Sequence, residues 1–269
     1  MVIRVLSLNA WGGRLHQELI AYLSGADPDV LCLQEVVRAP EGSPDWLLYR
    51  DRDVELPQRA HLYDEVRTAL PGHDAVFHPT AQGTLFDGDL RVSAEFGLAT
   101  FVRRSMAVIG QATGFVHGSF SPDGWGSHPR SRNAHCLRLF SYADAFTVTI
   151  AQMHGLRDPV GKVDTPARDA QAAAFASLIE QVWHPGERLV ACGDFNILPD
   201  SRSFETLARL GLTDLVTTRG HSDTRTSYYP KSGRFADYLL VSPEVDVRRF
   251  EVVEQPEVSD HRALLLDMA

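Results

Sequence analysis

Short apolar runs with a period of two dominate the chain. They cover residues 2–8, 29–34, 74–78, 95–102, 106–116, 134–141, 145–153, 188–192, 236–241, 245–253 and 262–267. Each is strand-sized and rich in β-branched or aromatic residues, so each predicts a strand. Helical spacing is rarer. Leu15–Leu23 predicts a short helix stopping at Ser24-Gly25, and Leu56–Leu70 another stopping at Pro71-Gly72. The segment 165–183, TPARDAQAAAFASLIEQVW, has Thr165 as a cap, Pro166 in its first turn and an apolar stripe of Phe175, Leu178, Ile179 and Val182. A fourth helix is predicted over Ser201–Leu210. Segments 38–56, 80–93 and 117–131 lack a pattern and read as long loops. Many strands with a few interspersed helices predict an α/β (α+β) arrangement, two sheets packed face to face with helices on their outer faces. No linker separates two halves, so residues 1–269 read as a single domain.

Composition narrows the classes of function. No run of 18 apolar residues occurs, and Met1 leads straight into VIRVLSLN without a basic segment, an apolar signal segment or a cleavage site. The expectation is a cytoplasmic protein with no membrane partner. Cys32, Cys136 and Cys192 all lie in apolar runs without metal-type spacing, and three cysteines cannot all pair. They read as small core residues. The net charge of −9 disfavours sequence-blind binding to long nucleic acids, whose affinity comes mainly from phosphate neutralisation. Of 26 cationic residues only Lys162 and Lys231 are lysines. Base composition of the gene accounts for such a bias without function, yet it leaves many guanidinium groups for bidentate phosphate contacts.

Polar residues interrupt the strands in a recurring way. LVACGDFN places Asp194 and Asn196 at the end of an apolar run, where alternation would put both on one side and Phe195 on the other. VLSLNAW ends on Asn9, VLCLQEV carries Gln34 and Glu35, and TVTIAQMHG ends on His154. RFADYLLVS opens with Asp237, and VSDHRALLLDM opens with Asp260-His261. Buried carboxylates cost several kcal/mol unless paired, hydrogen-bonded or bound to metal. Taken singly, Asn9 reads equally as a turn residue, Glu35 as a solvated strand end, His154 as a core histidine and Asp237 as half of an ion pair. Collected at one end of the sheets they read as a site.

LNAWGG at 8–13, LQEV at 33–36, GDFN at 193–196, DYLLVS at 237–242 and SDH at 259–261 follow one another in a familiar order. The chain resembles the endonuclease/exonuclease/phosphatase superfamily, the DNase I-like fold, over nearly its whole length. The resemblance implies a four-layer αββα sandwich of two mostly antiparallel sheets, with the active site at one end. It implies hydrolysis of phosphoester bonds with a divalent cation, Mg²⁺ with Mn²⁺ as a substitute, which suits hard oxygen ligands. Position by position, Glu35 resembles the direct metal ligand, with Asn9 beside it and Asp260 as a second or water-mediated one. Asp194 resembles the residue that orients or deprotonates water, and Asn196 the amide that holds a phosphate oxygen. His261 resembles the imidazole on the scissile phosphate, with Asp237 behind it to fix its tautomer and favour its charged form. His154 matches the branch of the superfamily that carries a phosphate-contacting histidine there.

The sequence departs from the abasic-site endonucleases at Trp11, where they carry an aspartate, and this counts against a two-metal scheme. Arg168 and Gln171 share a helix face, and Arg168 reads either as a structural residue or as a substrate contact. Among aromatic residues in irregular segments, Trp125 in PDGWGSH and Tyr228 in the pair after Arg225 are the candidates to stack on a substrate ring. The expected substrate is a small or single-stranded phosphoester. A DNA or RNA nuclease is the alternative on the same chemistry, which keeps nucleic acid open as a partner. A catalytically inactive binding or scaffold protein is the alternative of another class, and Glu35, Asp194 and His261 are all present against it. The sequence leaves the oligomeric state open, a monomer included.

Overall fold

Alternating apolar positions resolve into two sheets packed face to face. The computed structural model describes residues 2–52 and 54–269; Met1 and Asp53, the latter inside the 38–56 segment, lie outside that description. The larger sheet holds β1 (Ile3–Asn9), β2 (Val30–Arg38), β3 (Trp46–Asp51), β4 (Val54–Arg59), β5 (His73–Asp87), β6 (Leu90–Arg103), β13 (Val247–Val252) and β14 (Leu264–Met268). Their order is β13-β14-β1-β2-β6-β5-β3-β4. The smaller sheet holds β7 (Met106–His117), β8 (Arg132–Ser141), β9 (Phe146–His154), β10 (Arg188–Asp194), β11 (Thr213–Asp214) and β12 (Asp237–Val241), ordered β11-β12-β10-β9-β8-β7. One parallel pair sits inside each sheet, β1 with β2 and β9 with β10, and the other named pairs are antiparallel.

Period two explains the layering. In β1 and β2, Val5, Val30 and Cys32 face the smaller sheet and join Ala151, Met153 and Cys192 in the central core. Leu6, Leu8, Leu31 and Leu33 face outward, under α1 (His16–Ala26) and α2 (Leu62–Ala69). On the far side, Phe175 and Ile179 of α3 (Pro166–Glu180) cover the smaller sheet, with α4 (Ser203–Ala208) and α5 (Leu215–Thr218) beyond. Each such side chain contributes on the order of 1.5–3 kcal/mol by leaving water. The result is the four-layer sandwich expected. The three cysteines are free and buried. No helix among the described residues is long and apolar enough to cross a membrane.

Three local expectations change. The helix over 56–70 is confined to Leu62–Ala69, because Leu56 and Pro57 belong to β4, an edge strand that tolerates a residue without an N–H. Most of 38–56 and nearly all of 80–93 are not loops. The first supplies the β3–β4 hairpin, in which Asp51 pairs with Val54. The second is the tip of the β5–β6 hairpin, closed by Gly88-Asp89 between Asp87 and Leu90. Asp87-Gly88 after Phe86 is the turn signal that marks it. The 117–131 segment is irregular for most of its length and is tied to β5 through bridges at Ala81 and Gln82.

Candidate active site

Strand register assembles the site. Asp194, the last residue of β10, sits level with His154 on β9 and Asp237 on β12, so three neighbouring strands end on three chemical groups in one row. Gly193 makes the close ladder possible: a Cβ there would lie 2.1 Å from the carbonyl oxygen of Met153. Phe195 turns inward against Phe175 and Tyr238, edge to face at 5.9 Å from each. Asn196 lines the cleft beside Asp194, but from the loop beyond the strand end and not by strand alternation. Its φ of 55° is left-handed, its N–H donates to Asp194 Oδ1 at 3.0 Å, and its amide reaches Gly155 O at 3.3 Å.

The facing sheet supplies the other half. Asn9 ends β1 level with Gln34, and its Nδ2 donates to Asp194 Oδ2 at 3.0 Å, stitching the two sheets together at the site. Glu35 occupies a bulge where the β2–β6 register slips between Leu33 and Val36, with φ of 56°. A bulge re-aims a side chain. Here it turns the Glu35 carboxylate to 3.8 Å from His154 Nε2, which also stands 3.8 Å from Asp194 Oδ2.

His261 completes the row. Its Nδ1 donates to both oxygens of Asp237, at 2.8 and 2.9 Å, and Ser259 Oγ fixes its backbone N–H at 3.2 Å while bonding Asn9 O. Nε2 of the ring lies 3.8 Å from Asp194 Oδ2 and accepts from Arg225 Nη1, which also binds Asp260 Oδ2 at 3.0 Å. Burial, with Arg225 next to the ring, pushes His261 down to about 4. Asp237 is placed to support a charged imidazole, while burial and the Arg225 guanidinium act against that charge. Burial also pushes Asp237 up to about 7, although the charge of Arg225 and the hydrogen bond from Thr224 oppose that rise. His154 is held well below the usual histidine range by burial and then by Arg132. Glu35 and Asp260 are both raised, chiefly by burial.

The sequence profile described as the Endonuclease/Exonuclease/phosphatase family matches residues 6–261. The chain belongs to that family. Among curated proteins none matches it in sequence. Solved structures share its fold. An endonuclease/exonuclease/phosphatase from Bacteroides vulgatus superposes with a TM-score of 0.68 at 18% identity, covering 100% of this chain and 99% of that one. A mannosyl-6-phosphatase from Bacteroides thetaiotaomicron gives 0.67 at 17%, covering 99% of each chain. The human Nocturnin catalytic domain gives 0.64 at 19%, covering 100% of this chain and 93% of that one.

Family members usually use divalent metals, and the donor set here suits one. Glu35, His154 and Asp194 offer ligand atoms within 4.8 Å of one another, as do Asp194, Asp237 and His261. Asp260 Oδ1 is buried without a hydrogen-bond partner, and Glu35 is raised partly by the charge of Asp194. Carboxylates crowded in this way are relieved by a hard cation. Glu35 would hold it, with Asn9, Asp260 and Asp194 beside it.

Of the residues expected to touch substrate, Arg168 lines the floor of the cleft. Its buried guanidinium donates to the carbonyls of Leu156, Gly161, Val163 and Asn196, so it shapes the loop after β9. Tyr228 stands on the rim, 5.9 Å from the ring of Trp11, and its neighbour Tyr229 lines the cleft instead. Trp125 lines a second cavity adjoining the first. Sequence reasoning missed four cations. Arg225 touches His261 and Asp260, and Arg132 is buried 23 residues before Gly155, whose carbonyl it binds. Arg157 borders the cleft, and Lys162, pushed down to about 8 by burial and Arg225, ties it to Gly233 O at 3.0 Å. Each sits in or beside a loop, where an arginine or lysine carries no periodic signal.

Proposed function

We propose that this protein is a divalent-metal-dependent hydrolase of phosphoester bonds, a phosphodiesterase or phosphatase, acting on a small or single-stranded phosphoester. The observation that carries the reading is the row His154, Asp194, Asp237 joined by His261, facing Glu35 across the two sheets. Mg²⁺, replaceable by Mn²⁺, is the expected ion; bound near Glu35 it supplies charge that neutralises the equatorial phosphate oxygens.

The side chains divide the remaining work. Asn196 and Arg225 offer N–H donors to a phosphate oxygen, and His154 stands beside it. Asp194 orients the attacking water. The neutral His261, with Nδ1–H on Asp237, keeps Nε2 as an acceptor. A phosphate entering the cleft competes for Arg225 and so frees Nε2 for a proton. Asp237 then stabilises the imidazolium that results. Activity against a panel of single- and double-stranded nucleic acid, nucleotides, inositol phosphates, sugar phosphates and bis-p-nitrophenyl phosphate tests this reading. Hydrolysis of at least one small ester with Mg²⁺ or Mn²⁺, abolished by EDTA, is expected. Inactivity on all of them with tight binding of a protein partner would replace it with the scaffold reading, and cleavage restricted to nucleic acid with the nuclease one.

A further inference from the structure

Beside the cleft of about 420 Å³ lies a smaller cavity of about 110 Å³, most of whose walls the reaction does not use. The two share Glu35, Leu56 and Arg157, so a molecule with its phosphate in the cleft can extend into the cavity. The β3–β4 hairpin contributes Tyr49, Leu56 and Gln58 to it, and the irregular segment before β8 contributes Trp125. We propose that this cavity is a subsite for a flat heteroaromatic ring of nucleobase size, which makes the preferred substrate a mononucleotide-class phosphoester. The inference rests on the phosphoester-hydrolase reading above.

Three observations lead there. The walls are aromatic and held in place. Trp125 packs so closely on Gly83 that a Cβ there would meet its ring at 2.2 Å, and its Nε1 donates to Thr84 O at 3.1 Å. Phe96 meets Trp125 edge-on at 6.3 Å and lies 6.4 Å from the His154 ring, so the aromatic wall begins at a site imidazole. Second, the polar tips of these walls are already engaged. Tyr49 OH donates to Asp51 at 3.2 Å, the Trp125 indole to Thr84, and Thr80 Oγ1 to Phe96 O at 2.9 Å. A polyol placed there would lose its hydration without replacement, whereas a base presents a π-face and few hydroxyls. Third, Arg132 and Arg157 line the cavity with no carboxylate ion pair among the described residues, while Arg130 is tied to Asp51 at 2.8 Å. Two guanidinium groups in and beside the junction, coupled to Glu35 only at longer range, suit the anionic link between ring and reacting phosphate.

The test uses the full chain and two independent readouts. Calorimetric titration of the Asp194→Asn protein with adenosine 5′-monophosphate in Mg²⁺ measures binding without turnover, with mannose 6-phosphate as the polyol control. Binding of the nucleotide about 10-fold tighter than the sugar phosphate, lost in the Asp194→Asn/Trp125→Ala double variant and largely kept in Asp194→Asn/Trp125→Phe, is the expected result. Kinetically, Trp125→Ala lowers the ratio of kcat/KM for adenosine 5′-monophosphate over glycerol 2-phosphate by about 10-fold, mainly through KM. Tyr49→Leu, on the edge hairpin, serves the same comparison if Trp125→Ala does not fold. Nucleotide binding that depends on Trp125 in a protein that hydrolyses nothing supports the subsite and overturns the hydrolase reading. Hydrolysis with equal or better use of mannose 6-phosphate, or a ratio unmoved by both variants, overturns the subsite alone.

Discussion

Three residues at the site hold a left-handed backbone without being glycine: Trp11 at φ 51°, Glu35 at 56° and Asn196 at 55°. Such conformations cost on the order of 1 kcal/mol or more each and persist where packing and hydrogen bonds over-determine them. At Glu35 the cost is compounded by charge, since burial and Asp194 both oppose its ionised form. Glu35→Gln removes that repulsion. In EDTA its melting temperature is expected above wild type, by about 2–4 °C for each kcal/mol relieved. Added Mg²⁺ should raise the wild-type midpoint and leave the variant nearly unmoved; equal shifts in both would remove Glu35 from the metal site. The polar strand ends were legible in sequence because a carboxylate or imidazole beside buried apolar residues contradicts burial. Arg225 was not, because the contact with His261 joins residues 36 apart through an isolated bridge.

Among elements, the two central parallel pairs explain why the site lies where it does. The ends of β1 and β2 and of β9 and β10 converge on one edge of the sandwich, and the loops that leave them are pinned from behind. Arg168 on α3 is the main pin. Replacing it with Met leaves four carbonyls short of a donor, of which the buried two, of Leu156 and Asn196, each cost roughly 1–3 kcal/mol if water does not reach them. Arg168→Met should therefore lower the melting temperature, speed proteolysis within 157–163 and reduce kcat through the loosened loop. A variant with wild-type stability and a raised KM alone would instead make Arg168 a substrate contact. The β3–β4 hairpin and the tip of the β5–β6 hairpin show the limit of periodicity: few of their apolar positions are buried. Only the Asp87-Gly88 turn distinguishes the second from a loop.

For the whole molecule, the interface between the sheets is not purely apolar. Gln34 donates to Gln152, Gln152 to Thr100, and Thr100 bonds His135 Nδ1 at 2.7 Å, a buried chain that runs inward from the site. Burial pushes His135 down to about 3, with the His78 charge adding to the effect. The folded state thus refuses a proton that the unfolded chain takes up below about 6.5, so stability is full above that pH and falls as pH drops toward 3. Between pH 7 and 5 this side chain accounts for about 2 kcal/mol. His135→Gln should remove that share of the acid sensitivity in urea midpoints taken at the two pH values, and an unchanged difference would show that His135 is already charged in the fold. The acidic molecule, at −9, gathers Arg132, Arg157, Arg225 and Lys162 around one carboxylate-lined cleft, as a receptor for small anions would. The most direct measurement is kcat/KM of Asp194→Asn against wild type on the best small phosphoester in saturating Mn²⁺, with melting temperatures recorded for both. A loss of about 10²–10⁴-fold in a protein that still folds is predicted, and full activity in Asp194→Asn would contradict the assignment of the site.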